Sequence, residues 1–257
     1  MQEILGLPIL ASEHGGELDG LTWYIHLLMA ALFVGWLGYF IYVIIRFRSG
    51  RNPQADYHGV KSHFSSYLEV AVAVIEIVLL VGFAVPLWAS YIDDAPKDGE
   101  DAIFIRVIGE QFSWGVVYPG PDGKFGKQDI SNIGSGNKYG YDPDDPDTLD
   151  NFQSDMNIKV PINRVVRIDL SSLDVIHSFG IKPMRVAQDC IPGMVIPLWF
   201  EPNRIGRYQV QCEQLCGNAH YRMKGYFEVV TQEEYDQWVE QESADAISGE
   251  SDMGGFE

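Results

Sequence analysis

The chain of 257 residues is short of cysteine and of basic side chains. Three cysteines cannot build a disulfide framework, and the odd count points to thiols or metal ligands. Lys and Arg number 18 against 36 Asp and Glu, a net charge of −18. That balance excludes a nucleic-acid-binding surface, because neutralising phosphates needs a basic face. Bases are missing from whole regions: none precedes Arg46 and none follows Lys224. The opening, MQEILGLPIL, lacks the basic n-region of a cleaved signal peptide. No C-x-x-C-H occurs, so no haem is expected in this chain.

The mean hydropathy of −0.05 suggests a soluble protein, but the average hides strong segregation. Residues 21–45 are 25 consecutive positions without a charge. At ~1.5 Å per residue they cross the ~30 Å hydrocarbon core of a bilayer. Residues 64–91 form a second apolar run, interrupted by Glu69 and Glu76. The loop between them, 46–63, carries Arg46, Arg48, Arg51 and Lys61 against Asp56. The positive-inside rule places this loop in the cytoplasm and both termini outside a bacterial-type plasma membrane. Trp23, Tyr24, Tyr39, Tyr42, Trp88 and Tyr91 lie near the span ends, where aromatic rings suit the interfaces. Glu69 and Glu76 project from one helical face. A carboxyl there is costly in lipid, so this face should meet a protein partner or water. A proton path and a neutral, hydrogen-bonded carboxyl both fit.

From Ala102 the pattern alternates, in AIFIRVIG, MNIKV, RVVRIDL, VIPLWFE, GRYQVQC and GYFEVV. Short strands with turn signals between them predict a β-sandwich or barrel. Residues 119–151, with the acidic run YDPDDPDTLD, read as a long solvated surface loop; Ca²⁺ binding is a weaker alternative, because the loop spacing is absent. The segment QEEYDQWVEQESADA predicts an amphipathic helix with Tyr235 and Trp238 on one side, followed by a frayed tail. The chain therefore divides into an external segment (1–20), a transmembrane hairpin (21–91), an all-β domain (92–231) and an acidic helix and tail (232–257).

Cys212, Cys216, His220 and Met223 fall within one short segment directly after a strand. Two thiolates, an imidazole and a thioether are a soft donor set that selects copper, or zinc if the thioether is ignored. His177, also at the end of an apolar run, is the candidate second imidazole. A structural zinc site would place its histidines as a close pair, and a mononuclear blue-copper site has no use for a second cysteine. Two thiolates four residues apart can instead bridge two copper ions. Cys190 reads as a packed thiol.

These residues resemble subunit II of the haem–copper cytochrome c oxidases. The family motif, a His well upstream of C-x-E-x-C-G-x-x-H-x-x-M, is matched by His177, Cys212, Cys216, His220 and Met223. The D-V-x-H-S and D-x-I-P-G elements stand at Asp174–Ser178 and Asp189–Gly193. The resemblance implies a two-helix transmembrane hairpin followed by a cupredoxin-like Greek-key domain holding the dinuclear copper centre CuA. It implies that both cysteines bridge the coppers, both histidines cap them, and Met223 and the backbone carbonyl of Gln214 are weak ligands. It also implies oxidase subunit I and further oxidase subunits as partners, cytochrome c as electron donor, and a proton-pumping complex that reduces O₂ to water. Glu69 stands where the family places a carboxylate at the mouth of a proton channel, and Pro86 where it has a second-helix proline.

The chain departs from the family at two places. Gln214 replaces the Glu that helps hold Mg²⁺ or Mn²⁺ at the subunit I contact, so that cation loses a carboxylate. Phe112 replaces the tryptophan that receives electrons, which leaves Phe112 or Trp114 for that role. A quinol oxidase subunit II would lack the copper ligands. A copper carrier would need exchangeable, exposed thiols. Nitrous oxide reductase would need a further large catalytic domain.

Overall fold

The computed structural model describes residues 4, 6–54, 57–59, 61–97, 99–134 and 136–248. The tail expected after Ser248 lies outside them. The chain separates into two units, one of helices and one built mainly of strands.

The helical unit contains α1 (Gly15–Phe47), α2 (Phe64–Leu79) and α3 (Val85–Asp93). A π-helical stretch, Leu80–Ala84, joins the last two into one 30-residue rod. Pro86 explains the join. A proline inside a helix has no N–H to give and crowds the preceding turn, and the wider π turn absorbs the mismatch. The N–H of Val85 accordingly bonds to the carbonyl of Leu80. Both rods are long and apolar enough to cross a membrane, and neither buries its apolar side chains within the chain. Phe33, Val34, Trp36, Val70, Ile77 and Val81 all stand exposed, so lipid or protein must cover them. Helix α1 starts at Gly15, before the uncharged run, because Glu17 in its first turn complements the helix dipole.

The second unit is a sandwich of two five-stranded sheets. The first contains β1 (Ile103–Glu110), β2 (Ser113–Tyr118), β3 (Phe152–Asp155), β5 (Val166–Ser172) and β8 (Ile196–Phe200), in the order β3-β2-β1-β5-β8. The second contains β4 (Asn157–Pro161), β6 (His177–Ile181), β7 (Val186–Cys190), β9 (Gly206–Cys212) and β10 (Lys224–Val230), in the order β4-β10-β9-β6-β7. Strands distant in sequence pair parallel, β1 with β5 and β4 with β10, which gives the crossing connections of a cupredoxin-like Greek-key sandwich. Strand β5 shows why the sequence folds this way. Val166, Ile168 and Leu170 point inward and are buried, while Arg167 and Asp169 alternate outward and pair with each other. Phe179, Phe200 and Phe227 are fully buried between the sheets.

Three features differ from the sequence reading. First, residues 119–151 are not simply a solvated loop. Tyr141 from this insertion packs with Ile108 and Val117 on the outer face of the first sheet, with Phe125 and Tyr139 against it. Arg106 stacks over Phe125 at 4.1 Å and donates to the Tyr141 hydroxyl. The acidic run that dominates the composition hid these few aromatics. Second, part of the N-terminal segment belongs to the sandwich. Ala11 and Ser12 are fully buried, and the Ala11 N–H donates to the carbonyl of Pro183 at 2.8 Å. Third, Trp114 is buried, as described below.

The last helix, α4 (Gln232–Ser248), is capped by Thr231. The Glu234 N–H donates to Thr231 Oγ1 while the Glu234 carboxylate accepts from the Thr231 N–H, a reciprocal capping box. Tyr235, Val239 and Ser243 form its buried line, and Trp238 meets Tyr118 and Phe152 edge-on.

Candidate metal centre

The donors come from four places at one end of the sandwich. His177 opens β6 and Cys212 closes β9; the two strands pair antiparallel, with Phe179 opposite Cys212. The loop after β9 carries Cys216. A single 3-10 turn, His220–Arg222, then presents His220, and Met223 precedes β10. Pairing of β9 with β10 closes this loop, because the Cys212 N–H bonds to the Met223 carbonyl.

The donor atoms converge. Cys212 Sγ lies 3.8 Å from Cys216 Sγ, 4.0 Å from His177 Nδ1 and 3.1 Å from the carbonyl oxygen of Gln214. Cys216 Sγ lies 3.6 Å from His220 Nδ1 and 3.8 Å from Met223 Sδ. His177, Cys212 and Cys216 all bring donor atoms within 4.8 Å of one another, and all three are buried. A thiolate holds zinc at ~2.3 Å, and two sulfurs 3.8 Å apart can both touch one ion at such a distance. A set with two thiolates, two imidazoles and a thioether, buried except for the half-buried His220, therefore fits copper. Burial, then the neighbouring Cys212, pushes the Cys216 thiol up to about 11. Without metal that thiol stays protonated near neutral pH, so metal binding must displace a proton.

The imidazole of His177 is held from behind. Its Nε2–H donates to Asp174 Oδ1 at 2.8 Å, and Nδ1 faces Cys212. Burial works against ionisation of Asp174. Hydrogen bonds from His177, from the Gln111 N–H and from the Val175 N–H outweigh it and hold the carboxyl below its ordinary value. Trp114, 2% exposed, stands edge-on to His177 with ring centroids 6.0 Å apart. Gly109 supplies the floor: a Cβ there would sit 2.9 Å from His177 Cδ2.

Other residues singled out in the sequence occupy distinct places. Trp114, in the core, cannot form part of an external docking patch, which corrects that alternative; β2 alternates and points it inward. Phe112 is half-buried, its ring close enough to Gly217 that a Cβ there would meet it at 2.9 Å. Glu213 turns away from the sulfurs, over Gly180, and pairs with Lys182 at 2.7 Å. The Gln214 side chain is exposed and accepts from the Leu215 N–H. Cys190 lies opposite His177 in the β6–β7 ladder, fully buried, and burial pushes its thiol up to about 12. Glu69 and Glu76 are both exposed along α2, in the helical unit. Sequence reasoning missed Gly109 and Gln111 as supports of the site; both stand just before Phe112, the aromatic it singled out.

Around the ligands the surface is apolar. Leu215 and Tyr221 are 76% and 83% exposed, and Val175, Ile176, Met194 and Val195 also stand out to solvent. The Ser172–Pro192 bridge brings the loop holding Met194 beside the loop that leads to His177.

The comparisons with known proteins point to one family. Residues 103–230 match the family model described as cytochrome c oxidase subunit II, periplasmic domain. The alternative cytochrome c oxidase subunit 2 of Bradyrhizobium diazoefficiens is 32% identical over 211 residues, covering 81% of this chain and 74% of that one. A probable cytochrome c oxidase subunit 2 of Rickettsia bellii is 34% identical over 217 residues, covering 83% of this chain and 75% of that one. Among solved structures, the periplasmic domain of cytochrome oxidase subunit II of Bradyrhizobium japonicum is 28% identical, with a TM-score of 0.43, covering 59% of this chain and 98% of that one. Relatives above 30% identity that span most of both sequences leave one assignment: the chain belongs to the cytochrome c oxidase subunit II family.

Proposed function

We propose that this chain is where electrons enter a proton-pumping terminal oxidase: cytochrome c delivers them, and subunit I uses them at its haem to reduce O₂ to water. The observation that carries the reading is the meeting of His177, Cys212, Cys216, His220 and Met223 at one end of the sandwich. These residues, with the Gln214 carbonyl, would hold the dinuclear copper centre CuA. When bound, that centre supplies an electron store shared between two ions.

The protein's own groups do the rest. Asp174 keeps the His177 ring in one tautomer and one orientation. The sheet ends hold Cys212 and His177, so ligands move little when charge changes. The half-buried ring of Phe112 and the exposed Leu215 and Tyr221 form an apolar platform on which a donor protein can desolvate its own contact edge. The positive loop supports placing residues 46–63 in the cytoplasm and the sandwich on the periplasmic side, with 21–91 as the membrane hairpin and 92–231 as the copper domain. Oxidase subunit I and further subunits are the natural cover for the apolar rods. Gln214 offers no carboxylate to an interface Mg²⁺ or Mn²⁺.

The test uses the full chain purified in detergent and loaded with copper. Two coppers per chain and a hyperfine pattern of one electron shared equally by two copper nuclei are expected. One zinc and no paramagnetic signal would overturn the assignment. Glu69 is assigned to the mouth of a proton path. Glu69→Gln should slow turnover of the assembled oxidase while leaving the copper signal intact; unaltered turnover would remove that role.

A further inference from the structure

The connection between β1 and β2 carries a residue bonded to both halves of the ligand set. The main-chain N–H of Gln111 donates to Asp174 Oδ2 at 2.7 Å. The other oxygen of the same carboxylate holds His177 Nε2 at 2.8 Å. The side-chain amide of Gln111 reaches in another direction and donates to the carbonyl oxygen of Cys216 at 2.6 Å. One residue thus touches the carboxylate that orients an imidazole and the backbone that carries a thiolate.

The two thiolates differ in what holds them. Cys212 ends β9, within a ladder that pairs it with Phe179, so the sheet sets its position. Cys216 stands in the loop beyond, preceded by the exposed Gln214 and Leu215, outside any strand. The Gln111 amide supplies it with an anchor on the other sheet. Gly217 keeps the approach open. A Cβ there would lie 2.8 Å from Gln111 Nε2 and 2.9 Å from the Phe112 ring, and its φ of +144° suits glycine.

We propose that Gln111 is a positioning residue of the metal centre: its amide fixes the Cys216 loop against the His177 support, so that the two thiolates present matched environments to the metal. The inference rests on the copper reading of the ligand set. Loss of the amide bond lets Cys216 drift relative to Cys212 without removing any donor atom. The two metal positions then become unequal, while the sandwich stays folded.

Gln111→Met and Gln111→Glu, made in the full chain purified in detergent, test this. Both keep the side-chain length and the main-chain bond to Asp174. The first removes the donor, and the second sets a carboxylate oxygen against the Cys216 carbonyl. Both variants should bind copper at the wild-type ratio and give it up to a chelator about tenfold faster, as changes one shell out from a metal do. Their copper hyperfine splitting should become unequal and their midpoint potential should shift. Gln153→Met, on the exposed edge strand β3, should change none of these. A wild-type hyperfine pattern, potential and release rate in both variants would overturn the proposal. Should Gln111→Met not fold, Gln111→Glu, of the same size, decides alone. Failure of the wild-type chain to bind copper is a different outcome, and it would sink the copper reading together with the inference.

Discussion

Replacing Cys216 by serine should abolish the dinuclear copper signal and leave the chain folded and inserted in the membrane. Cys216 Sγ lies within 3.8 Å of Cys212 Sγ, His220 Nδ1 and Met223 Sδ, so it touches three of the other donors. A serine hydroxyl does not ionise near neutral pH and is a hard donor, poorly matched to copper held by thiolate and thioether. In the proposed dinuclear centre it would leave one thiolate where two would be needed. The loss of copper affinity should exceed the roughly 10–100-fold typical of a change one shell further out. Folding should survive, because Cys216 sits in a loop, while the core residues Phe179, Phe200 and Phe227 are untouched. Copper analysis, electron paramagnetic resonance and circular dichroism on the full chain read the three quantities together. Unchanged copper content and signal would refute the bridging role.

The rate at which a cationic cytochrome c associates with the assembled oxidase should fall steeply with added salt. Residues 92–257 carry 29 carboxylates and 14 bases. Several of these charges pair off, as in Lys182 with Glu213, Arg167 with Asp169 and Arg207 with Glu228. Much of the surplus lies in the 119–151 insertion and along α4, whose sequence QEEYDQWVEQESADAIS holds no base. A field of one sign raises association rates by about 10–10³-fold. The Debye length shrinks from about 10 Å at 0.1 M salt to about 3 Å at 1 M, so most of that gain should vanish over this range. Apolar contact through Leu215 and Tyr221 is insensitive to screening, so dissociation should respond far less than association. Stopped-flow measurement of both rates separates the two contributions. An association rate that ignores salt would remove electrostatic steering.

The two spans and most of the ligand set were legible in the sequence because both are local. Twenty-five uncharged residues are long and apolar enough to cross a bilayer whatever surrounds them. Cys212, Cys216, His220 and Met223 are close along the chain, so their type and spacing already imply a soft metal. The alternation in β5 and β10 likewise told which side chains face inward, because a strand alternates its faces by its own geometry.

The rest depends on contacts between segments that local patterns do not link. His177 reaches Cys212 only because β6 and β9 pair, and the bond from Nε2 to Asp174 decides which imidazole nitrogen faces the sulfur. The floor at Gly109, the edge-on Trp114 and the Gln111 bonds all come from the opposite sheet. The insertion looked wholly solvated because its charges outnumber its aromatics. Yet Tyr141 docks where Ile108 and Val117 leave an apolar patch on the outer face of the first sheet. Composition and spacing by themselves determined that this chain has two stretches long and apolar enough to cross a membrane and a set of soft metal donors. Only the tertiary structure decided how those donors are held, because hydrogen bonds and packing between sheets join residues that the sequence keeps far apart.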